Sequence, residues 1–172
     1  QLVHIDEFMH PRLEEIADVL PAVVGRWLLG TRWARACVEP FAPRVRRKIS
    51  YDKCDGDRYI SVHRTAHRLG MRTNMTMLYG HIETLAERVD HILQVRALQD
   101  DTRGFQAFIP LAFHPDNNQM RKLPGPSAGD TLRVHAVARL MLDNVDHIKA
   151  YWISSGVEVS QTALWFGADD LD

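Results

Sequence analysis

The sequence predicts an α/β fold, because apolar strands alternate with amphipathic helices along most of the chain. Three strands are expected at residues 72–79, 105–111 and 148–153, each followed by a helix, and each strand stops at polar residues. This alternation favours a parallel sheet with right-handed crossovers. In barrels built this way the carboxyl ends of the strands carry the chemistry. We therefore predict a partial (β/α) TIM-type barrel.

Four helices follow from helical periodicity, at residues 57–69, 83–100, 130–143 and 157–166. The first ends at Gly70, which adopts positive φ without a Cβ clash. A long loop at 114–129 precedes the third helix, and long loops in compact domains are usually functional. In the second and third helices, the side chains expected to face the sheet are Leu85, Val89, Ile92, Leu93, Leu132, Ala136, Val137, Leu140 and Met141.

Length and composition limit the function classes. The chain has 172 residues, of which 45% are hydrophobic. A closed barrel of this kind needs about 250 residues, so we expect the chain to be too short to close one alone. Basic and acidic residues nearly balance, at 21 and 22, so neither a nucleic acid nor a membrane is indicated as a partner. A small-molecule substrate is the remaining expectation.

Targeting and redox signals indicate the cytoplasm. No apolar run approaches the roughly 20 residues of a membrane-spanning helix. No charged-then-apolar leader opens the sequence. Cys37 and Cys54 are the two cysteines, too few for a disulfide framework. A reducing compartment fits these features.

Polar residues at the strand ends form the candidate site. If every strand ends at the rim of a barrel, side chains from four separate segments converge there. Glu83 also has an ordinary explanation, as an acid in the first turn of a helix. The converging residues are Tyr79, His81 and Glu83 after the first strand, His114, Asp116 and Asn117 after the second, Ser154 and Ser155 after the third, and Asp169 and Asp170 before an incipient fourth.

A metal-dependent TIM-barrel hydrolase is the alternative that these rim residues allow. Zinc held by histidines and an aspartate would activate water for hydrolysis. The sequence lacks the His-x-His pair with which such hydrolases begin, so this alternative takes second place. Its ligands would be His81, His114, and Asp169 or Asp170.

Other motifs have ordinary explanations. No G-x-S-x-G, G-x-G-x-x-G or P-loop motif is present. His63 and His67 have the i, i+4 spacing of metal ligands, but a hydrogen-bonded pair is the simpler interpretation. The weaker alternatives are a metal-binding turn at Asp52, Cys54 and Asp55, and an anion site at Arg44, Arg46, Arg47 and Lys48, for which a solvated helix face is simpler.

Four segments in a fixed order carry a family resemblance. They read TNMTMLYGHIETLAERVDHIL, GFQAFIPLAFHPDN, ARLMLDN-x-x-HIKAYW and ALWFGADDLD. Together they resemble the radical S-adenosylmethionine (radical SAM) enzymes of the futalosine route to menaquinone, and the aminofutalosine synthases most. The resemblance divides the chain into a poorly matched segment, 1–40, and the C-terminal part of a radical SAM barrel, 41–172.

The resemblance implies an enzyme, a radical SAM transferase. A four-iron four-sulfur cluster reduces S-adenosylmethionine, and the 5′-deoxyadenosyl radical adds to 3-[(1-carboxyvinyl)oxy]benzoate, giving aminodeoxyfutalosine after loss of bicarbonate. No residue is assigned a catalytic role or a metal-ligand role. The implied cofactor contacts are Glu39, Tyr79, His81 and Glu83, and the implied substrate contacts are His114, Asp116, Asn117, Asp169 and Asp170.

Two departures from the family pattern limit what this chain is expected to do alone. The cluster needs a C-x-x-x-C-x-x-C run, which is absent, so we expect the chain to be inactive by itself. In place of the family's glycine run stands Ala36-Cys37-Val38-Glu39, so residues 1–40 are expected not to be natural family sequence. A third possibility is a non-catalytic half barrel that self-associates through its open strand edge.

Overall fold

The computed structural model describes residues 41–49, 55–116 and 119–171. Glu39 and Asn117 lie outside the described residues, as do both cysteines, so the division at residue 40 stays a prediction. In chain order the elements are α1 (Pro43–Ile49), α2 (Gly56–Arg68), β1 (Thr73–Tyr79), α3 (Leu85–Thr102), β2 (Phe105–Ala112), α4 (Ala128–Met141), β3 (His147–Ala150), α5 (Trp152–Ser155), α6 (Val157–Ala163), a 3-10 turn (Leu164–Phe166) and β4 (Asp170–Leu171).

The strands form a four-stranded parallel sheet in the order β1-β2-β3-β4. Each strand pairs with the next one along the chain, and a helix connects each neighbouring pair. The sequence-based prediction of an α/β fold with a parallel sheet is confirmed. None of the helices in the described ranges is long and apolar enough to cross a membrane.

One face of the sheet packs against the helices. Met75, Met77 and Tyr79 of β1 are fully buried there, as are Ile148 and Ala150 of β3. Because side chains alternate along a strand, the intervening residues point the other way. Register then aligns them into one surface, which we call the opposite face: Thr76, Leu78, Ile109, Leu111, Lys149 and Asp170.

The third strand is shorter than predicted. It ends at Ala150 instead of residue 153, and α5 follows at once. The amide N–H groups of Ser154 and Ser155 both donate to the carbonyl of Tyr151, and so do their hydroxyl groups. These four bonds to one carbonyl close a helical turn, so Ser154 and Ser155 lie in a helix instead of at a strand end.

The predicted apolar faces of α3 and α4 are largely wrong. Leu85 is 68% exposed, Leu93 50% and Leu140 81%, whereas Ile92 is buried and Leu132 packs against the core, as expected. Polar contacts set the rotation of the helices instead. The buried Gln99 side chain of α3 donates to the carbonyls of Phe105 and Asn144 and accepts from the Phe105 N–H.

The inward faces of α3 and α4 therefore include buried polar residues, at positions that the apolar pattern did not select. The residues that face inward are His91, Ile92, Val95, Leu98 and Gln99 in α3, and Thr131, Val134, His135 and Ala138 in α4.

Gly80 fixes the turn that leaves β1, and its replacement is a test of that turn. Its φ is 89°, and a Cβ there would lie 2.5 Å from Cδ of Pro126. Gly70 has φ 79° with nothing within 4 Å of such a Cβ, so it is the matched control. We expect Gly70→Ala to lower the free energy of unfolding by about 1 kcal/mol, from backbone strain alone.

We expect Gly80→Ala to cost at least twice as much, because the clash with Pro126 adds to the strain. Chemical denaturation of both variants measures the difference. Equal losses in the two variants would show that Pro126 yields and that the packing of this turn is loose.

Candidate functional site

The turn after β1 is organised around the carboxylate of Glu83. This carboxylate accepts hydrogen bonds from the backbone N–H of Gly80, at 2.6 Å, and of His81, at 2.9 Å. Arg88, in the first helical turns of α3, places its guanidinium 2.6 Å from the same group. Because the Glu83 side chain is fully buried, these partners replace water around its charge.

The imidazole of His81 lies in the same buried cluster. Its Nδ1 is 2.8 Å from Oε2 of Glu83, its Nε2 is 3.2 Å from the carbonyl oxygen of Leu78, and the side chain is fully buried. The ring also meets Phe113 edge-on, with centroids 6.0 Å apart. His81 therefore anchors the turn to the end of β1 and to the segment after β2.

Electrostatics keep Glu83 ionised. Burial raises the pKa of Glu83, but hydrogen bonds with His81 and the Gly80 N–H and the positive charge of Arg88 outweigh burial and lower that pKa to about 2. The carboxylate is therefore charged at neutral pH. Gly80, His81, Glu83 and Arg88 form what we call the Glu83 cluster.

Tyr79 points toward the helices and away from the opposite face. Its hydroxyl donates to Oγ1 of Thr131 in α4 at 2.9 Å, and the Arg88 guanidinium lies 5.4 Å from its ring centroid. Burial raises the pKa of Tyr79 to about 12. The hydroxyl is therefore neutral and bound within the protein.

The carboxyl ends of β2 and β3 are joined through Ser154. His114 Nε2 donates to the Ser154 carbonyl at 2.7 Å, and Ser154 Oγ accepts from the Ala112 N–H at 3.3 Å. His114 and Asp116 are exposed. The structure thus brings together the second and third of the predicted polar clusters, beside the Glu83 cluster that follows β1.

The two aspartates lie elsewhere. Asp169 and Asp170 stand where β4 begins. Parallel pairing aligns Asp170 with Lys149 and Leu171 with Ala150, so the aspartates lie before the carboxyl end of β3, whereas His81 and His114 lie beyond the carboxyl ends of β1 and β2. Asp169 accepts hydrogen bonds from the Ile148 N–H at 2.7 Å and from Arg139 at 2.9 Å.

Burial raises the pKa of Asp169, but the Ile148 N–H, His147 and Arg139 outweigh it and lower that pKa. Asp170 pairs with Lys149 at 3.0 Å. The expected convergence of all rim residues is therefore only partial, and the binding roles of the individual residues stay predictions.

His63 and His67 are hydrogen-bonded helix residues, as the simpler interpretation had it. His63 Nδ1 and His67 Nε2 each lie 2.8 Å from the Thr73 hydroxyl, and His67 Nδ1 lies 2.6 Å from that of Thr102. Burial lowers the pKa of His63 to about 3. Within residues 41–49, 55–116 and 119–171, no group of three histidine, cysteine or acidic side chains is placed to hold a metal ion.

Arg44 and Arg46 of the basic helical turn, and Asp55 of the predicted acidic turn, also have structural partners, whereas Asp52 and Cys54 lie outside the described residues. Arg44 binds Glu87 at 2.7 Å, and Arg46 is 5% exposed, so the turn is not simply a solvated face. Asp55 caps α2 by accepting the Arg58 N–H at 2.8 Å. These contacts account for Arg44 and Asp55 without a ligand.

Comparison with known proteins identifies the C-terminal part of the chain. Residues 102–172 match the family described as the CofH/MqnC C-terminal region. This part of the chain belongs to that family. The sequence-based resemblance is thereby confirmed, and the CofH/MqnC C-terminal region of this chain includes β2, β3, β4, α4 and the His114–Ser154 contact.

Relatives of the chain have three different named activities. Aminodeoxyfutalosine synthase of Thermus thermophilus is 53% identical over 138 residues, 78% of this chain and 37% of the relative. Cyclic dehypoxanthine futalosine synthase of Streptomyces coelicolor is 42% identical over 139 residues, 81% of this chain and 35% of the relative.

A 5-amino-6-(D-ribitylamino)uracil–L-tyrosine 4-hydroxyphenyl transferase of Methanoculleus marisnigri is 44% identical over 131 residues, 74% of this chain and 36% of the relative. The chain thus spans little more than a third of the length of the relatives that it matches.

The sequence-based prediction missed two charged residues of the sheet and its first turn, Arg88 and Lys149. Arg88 is a partner of Glu83, five residues away, and such a spacing falls outside the i, i+4 pairs that helix periodicity suggests. Lys149 precedes the last residue of β3, between two fully buried residues. A lysine that alternates with buried residues in a short strand is the signal that could have singled it out.

Proposed function

We propose that the chain is part of an aminodeoxyfutalosine synthase, a radical SAM transferase of menaquinone biosynthesis in the cytoplasm. The 53% identity over 138 residues to the Thermus thermophilus enzyme carries this proposal. The reaction proposed is addition of the 5′-deoxyadenosyl radical to 3-[(1-carboxyvinyl)oxy]benzoate. Other relatives that match most of this chain are named for different reactions, so the substrate is the point that most needs a test.

We also propose that the sheet is part of a (β/α) barrel, the C-terminal half of a radical SAM barrel. Four parallel strands follow one another in space in the order of the sequence, without the reversal of a doubly wound sheet. That order supports continuous winding around a cylinder. In this arrangement the opposite face would look into the barrel, toward the substrate.

The residues present do not fit the iron–sulfur cluster. Such a cluster takes three thiolates from one C-x-x-x-C-x-x-C run, and the sequence has two cysteines, Cys37 and Cys54. A cluster would need ligands from outside these 172 residues. For S-adenosylmethionine, the predicted contacts Tyr79, His81 and Glu83 have buried side chains that bind other protein groups. Their contribution would be a rigid turn beside the cofactor.

Complementation tests the proposed function. The full chain is reconstituted anaerobically with iron and sulfide, alone and mixed with the N-terminal part of the Thermus thermophilus synthase as a separate polypeptide. We expect neither bound iron nor 5′-deoxyadenosine from the chain alone, and aminodeoxyfutalosine from the mixture. The N-terminal part alone is the control, since any turnover must depend on this chain.

Three other outcomes would contradict the proposal. Iron and cofactor cleavage by the chain alone would overturn the cysteine argument. Turnover of tyrosine with 5-amino-6-(D-ribitylamino)uracil, but not of the enol ether, would assign the transferase activity instead. Stoichiometric zinc with hydrolysis would favour the metal-dependent hydrolase, which the described residues do not support.

Self-association without catalysis is the second candidate function. Several large apolar side chains on the helices are exposed, Trp165 by 89% and Leu140 by 81%. Apolar groups in such numbers on a surface favour contact with another protein surface. Sedimentation of the same samples measures this, and a stable dimer that gives no turnover after complementation would favour this candidate.

A further inference from the structure

We propose that Lys149, held in position by Asp170, pairs with a carboxylate of the aromatic substrate. The identity of that substrate rests on the proposed function, but the cation and its surroundings do not. The proposed substrate, 3-[(1-carboxyvinyl)oxy]benzoate, carries a benzoate carboxylate that the reaction leaves intact. A group that does not react is suited to a fixed anchor.

The position of Lys149 in β3 decides which way its side chain points. Its neighbours Ile148 and Ala150 are fully buried under the helices, and Ala150 packs with Ala163 and Ala168. Because side chains alternate along a strand, Lys149 belongs to the opposite face. The ammonium of Lys149 therefore lies on the surface that would look into the barrel.

Asp170 fixes the ammonium by a cross-strand ion pair. Lys149 is paired in register with Asp170 of β4, and Nζ lies 3.0 Å from Oδ2. An ammonium has three N–H donors, so it can bridge two carboxylates. The pair leaves Lys149 partly accessible, at 23% exposure, and Asp170 at 46%. A second carboxylate can thus approach from the side of the opposite face.

The neighbouring strand offers an apolar surface next to this cation. Ile109 and Leu111 of β2 lie on the same face, as does Leu78 of β1. A benzoate has an apolar ring, which packs well against apolar side chains. Its carboxylate needs a positively charged partner, because losing water without one is costly.

By the same alternation His147 also belongs to the opposite face, and Lys149 is the one lysine or arginine among the residues assigned to that face. His147, at the start of the same strand, binds Asp169 instead.

The energetic cost of an inward charge also favours a ligand role. An ion pair on the inner surface of a closed barrel loses hydration. A pair of apolar residues there would stabilise the fold equally well or better. A charge retained at such a place is a candidate for ligand recognition. By contrast, both side chains of the Arg72–Asp146 pair are more than half exposed, so that pair keeps its hydration.

Lysine NMR on the full chain tests the proposal directly. The sequence has four lysines, Lys48, Lys53, Lys122 and Lys149, so biosynthetic labelling with ¹³C,¹⁵N-lysine gives few signals and leaves every ammonium intact. Lys149→Arg identifies the Lys149 signal by its disappearance while it retains the charge. The probes are 3-ethoxybenzoate and its neutral analogue 3-ethoxybenzyl alcohol.

We expect the benzoate to shift the Lys149 signal and the alcohol to leave it unchanged. We further expect Lys149→Met to weaken benzoate binding about tenfold, the effect of losing one charge-assisted contact. Lys149→Arg should bind nearly as well as the original chain. Lys122→Met, at an exposed position, is the matched control and should leave affinity unchanged.

Several results would overturn the assignment. They are equal affinity for benzoate and alcohol, a benzoate shift as large at Lys122 as at Lys149, or no binding of benzoate by the chain. If Lys149→Met does not fold, the proposal is still tested by the signal shift in the original chain and by the benzoate affinity of Lys149→Arg. A benzoate-dependent shift without complementation turnover would keep Lys149 as an anchor and reject the synthase function.

Discussion

Glu83→Gln is expected to lower the free energy of unfolding by about 3 kcal/mol or more. The substitution preserves the shape of the side chain but removes a buried negative charge. Arg88, whose side chain is 14% exposed, then keeps its positive charge without its partner. The N–H groups of Gly80 and His81 bind different oxygens of the carboxylate, so the NH2 of glutamine deprives one of them of its acceptor. Urea denaturation at neutral pH measures the loss.

Glu158→Gln is the matched control for this prediction. Glu158 is exposed in the first turn of α6, so the same chemical change there should alter stability by no more than about 0.5 kcal/mol. Arg88→Met, alone and combined with Glu83→Gln, gives the coupling between the two charges. A loss below about 1 kcal/mol for Glu83→Gln would mean that solvent reaches the Glu83 cluster in solution.

Acidification is expected to destabilise the protein between about pH 6.5 and pH 3. Burial lowers the pKa of His91, which is fully buried and stacked on Phe41, to about 3. The unfolded state binds a proton at the ordinary histidine pKa near 6.5, whereas the folded state does not until about pH 3. Stability is therefore fully present above pH 6.5 and falls as the pH decreases through that range.

His63 adds the same dependence, because burial lowers its pKa to about 3 as well. Glu83 adds a further loss at lower pH, between the ordinary value of 4.5 and about 2. Each buried histidine contributes a slope of up to about 1.4 kcal/mol per pH unit.

Unfolding free energies measured from pH 7 to pH 4 in the original chain and in His91→Leu isolate one of these contributions. We expect the leucine variant to lose less stability on acidification, because one proton-binding group of the unfolded state is gone. Parallel curves for the original chain and His91→Leu would show that His91 is protonated in the folded state.

The strands and their parallel order could be predicted from sequence because apolar runs and polar stops repeat at regular intervals. The length of β3 could not, since local hydrogen bonds to the Tyr151 carbonyl compete with sheet pairing at Ser154 and Ser155. The buried faces of α3 and α4 were missed for a related reason. A count of apolar residues gives no weight to Gln99 or His135, whose buried side chains bind backbone groups.

The candidate site was predictable where its members are close in sequence. Glu83 and His81 act within one turn, so a strand end followed by polar residues was sufficient to find them. The position of Asp169 depends on how β4 aligns with β3, and no local pattern encodes that register. Lys149 was overlooked because a single charge in an apolar strand carries no motif.

The polar contacts of the Glu83 cluster link residues fewer than ten positions apart, from Gly80 to Arg88. Short loops close quickly and at small entropic cost, so this corner can order early, ahead of pairings between distant segments. A polypeptide that docks at this end later would meet a rigid edge. It would then lose little conformational entropy on the side of this chain, which favours tight association from a modest contact area.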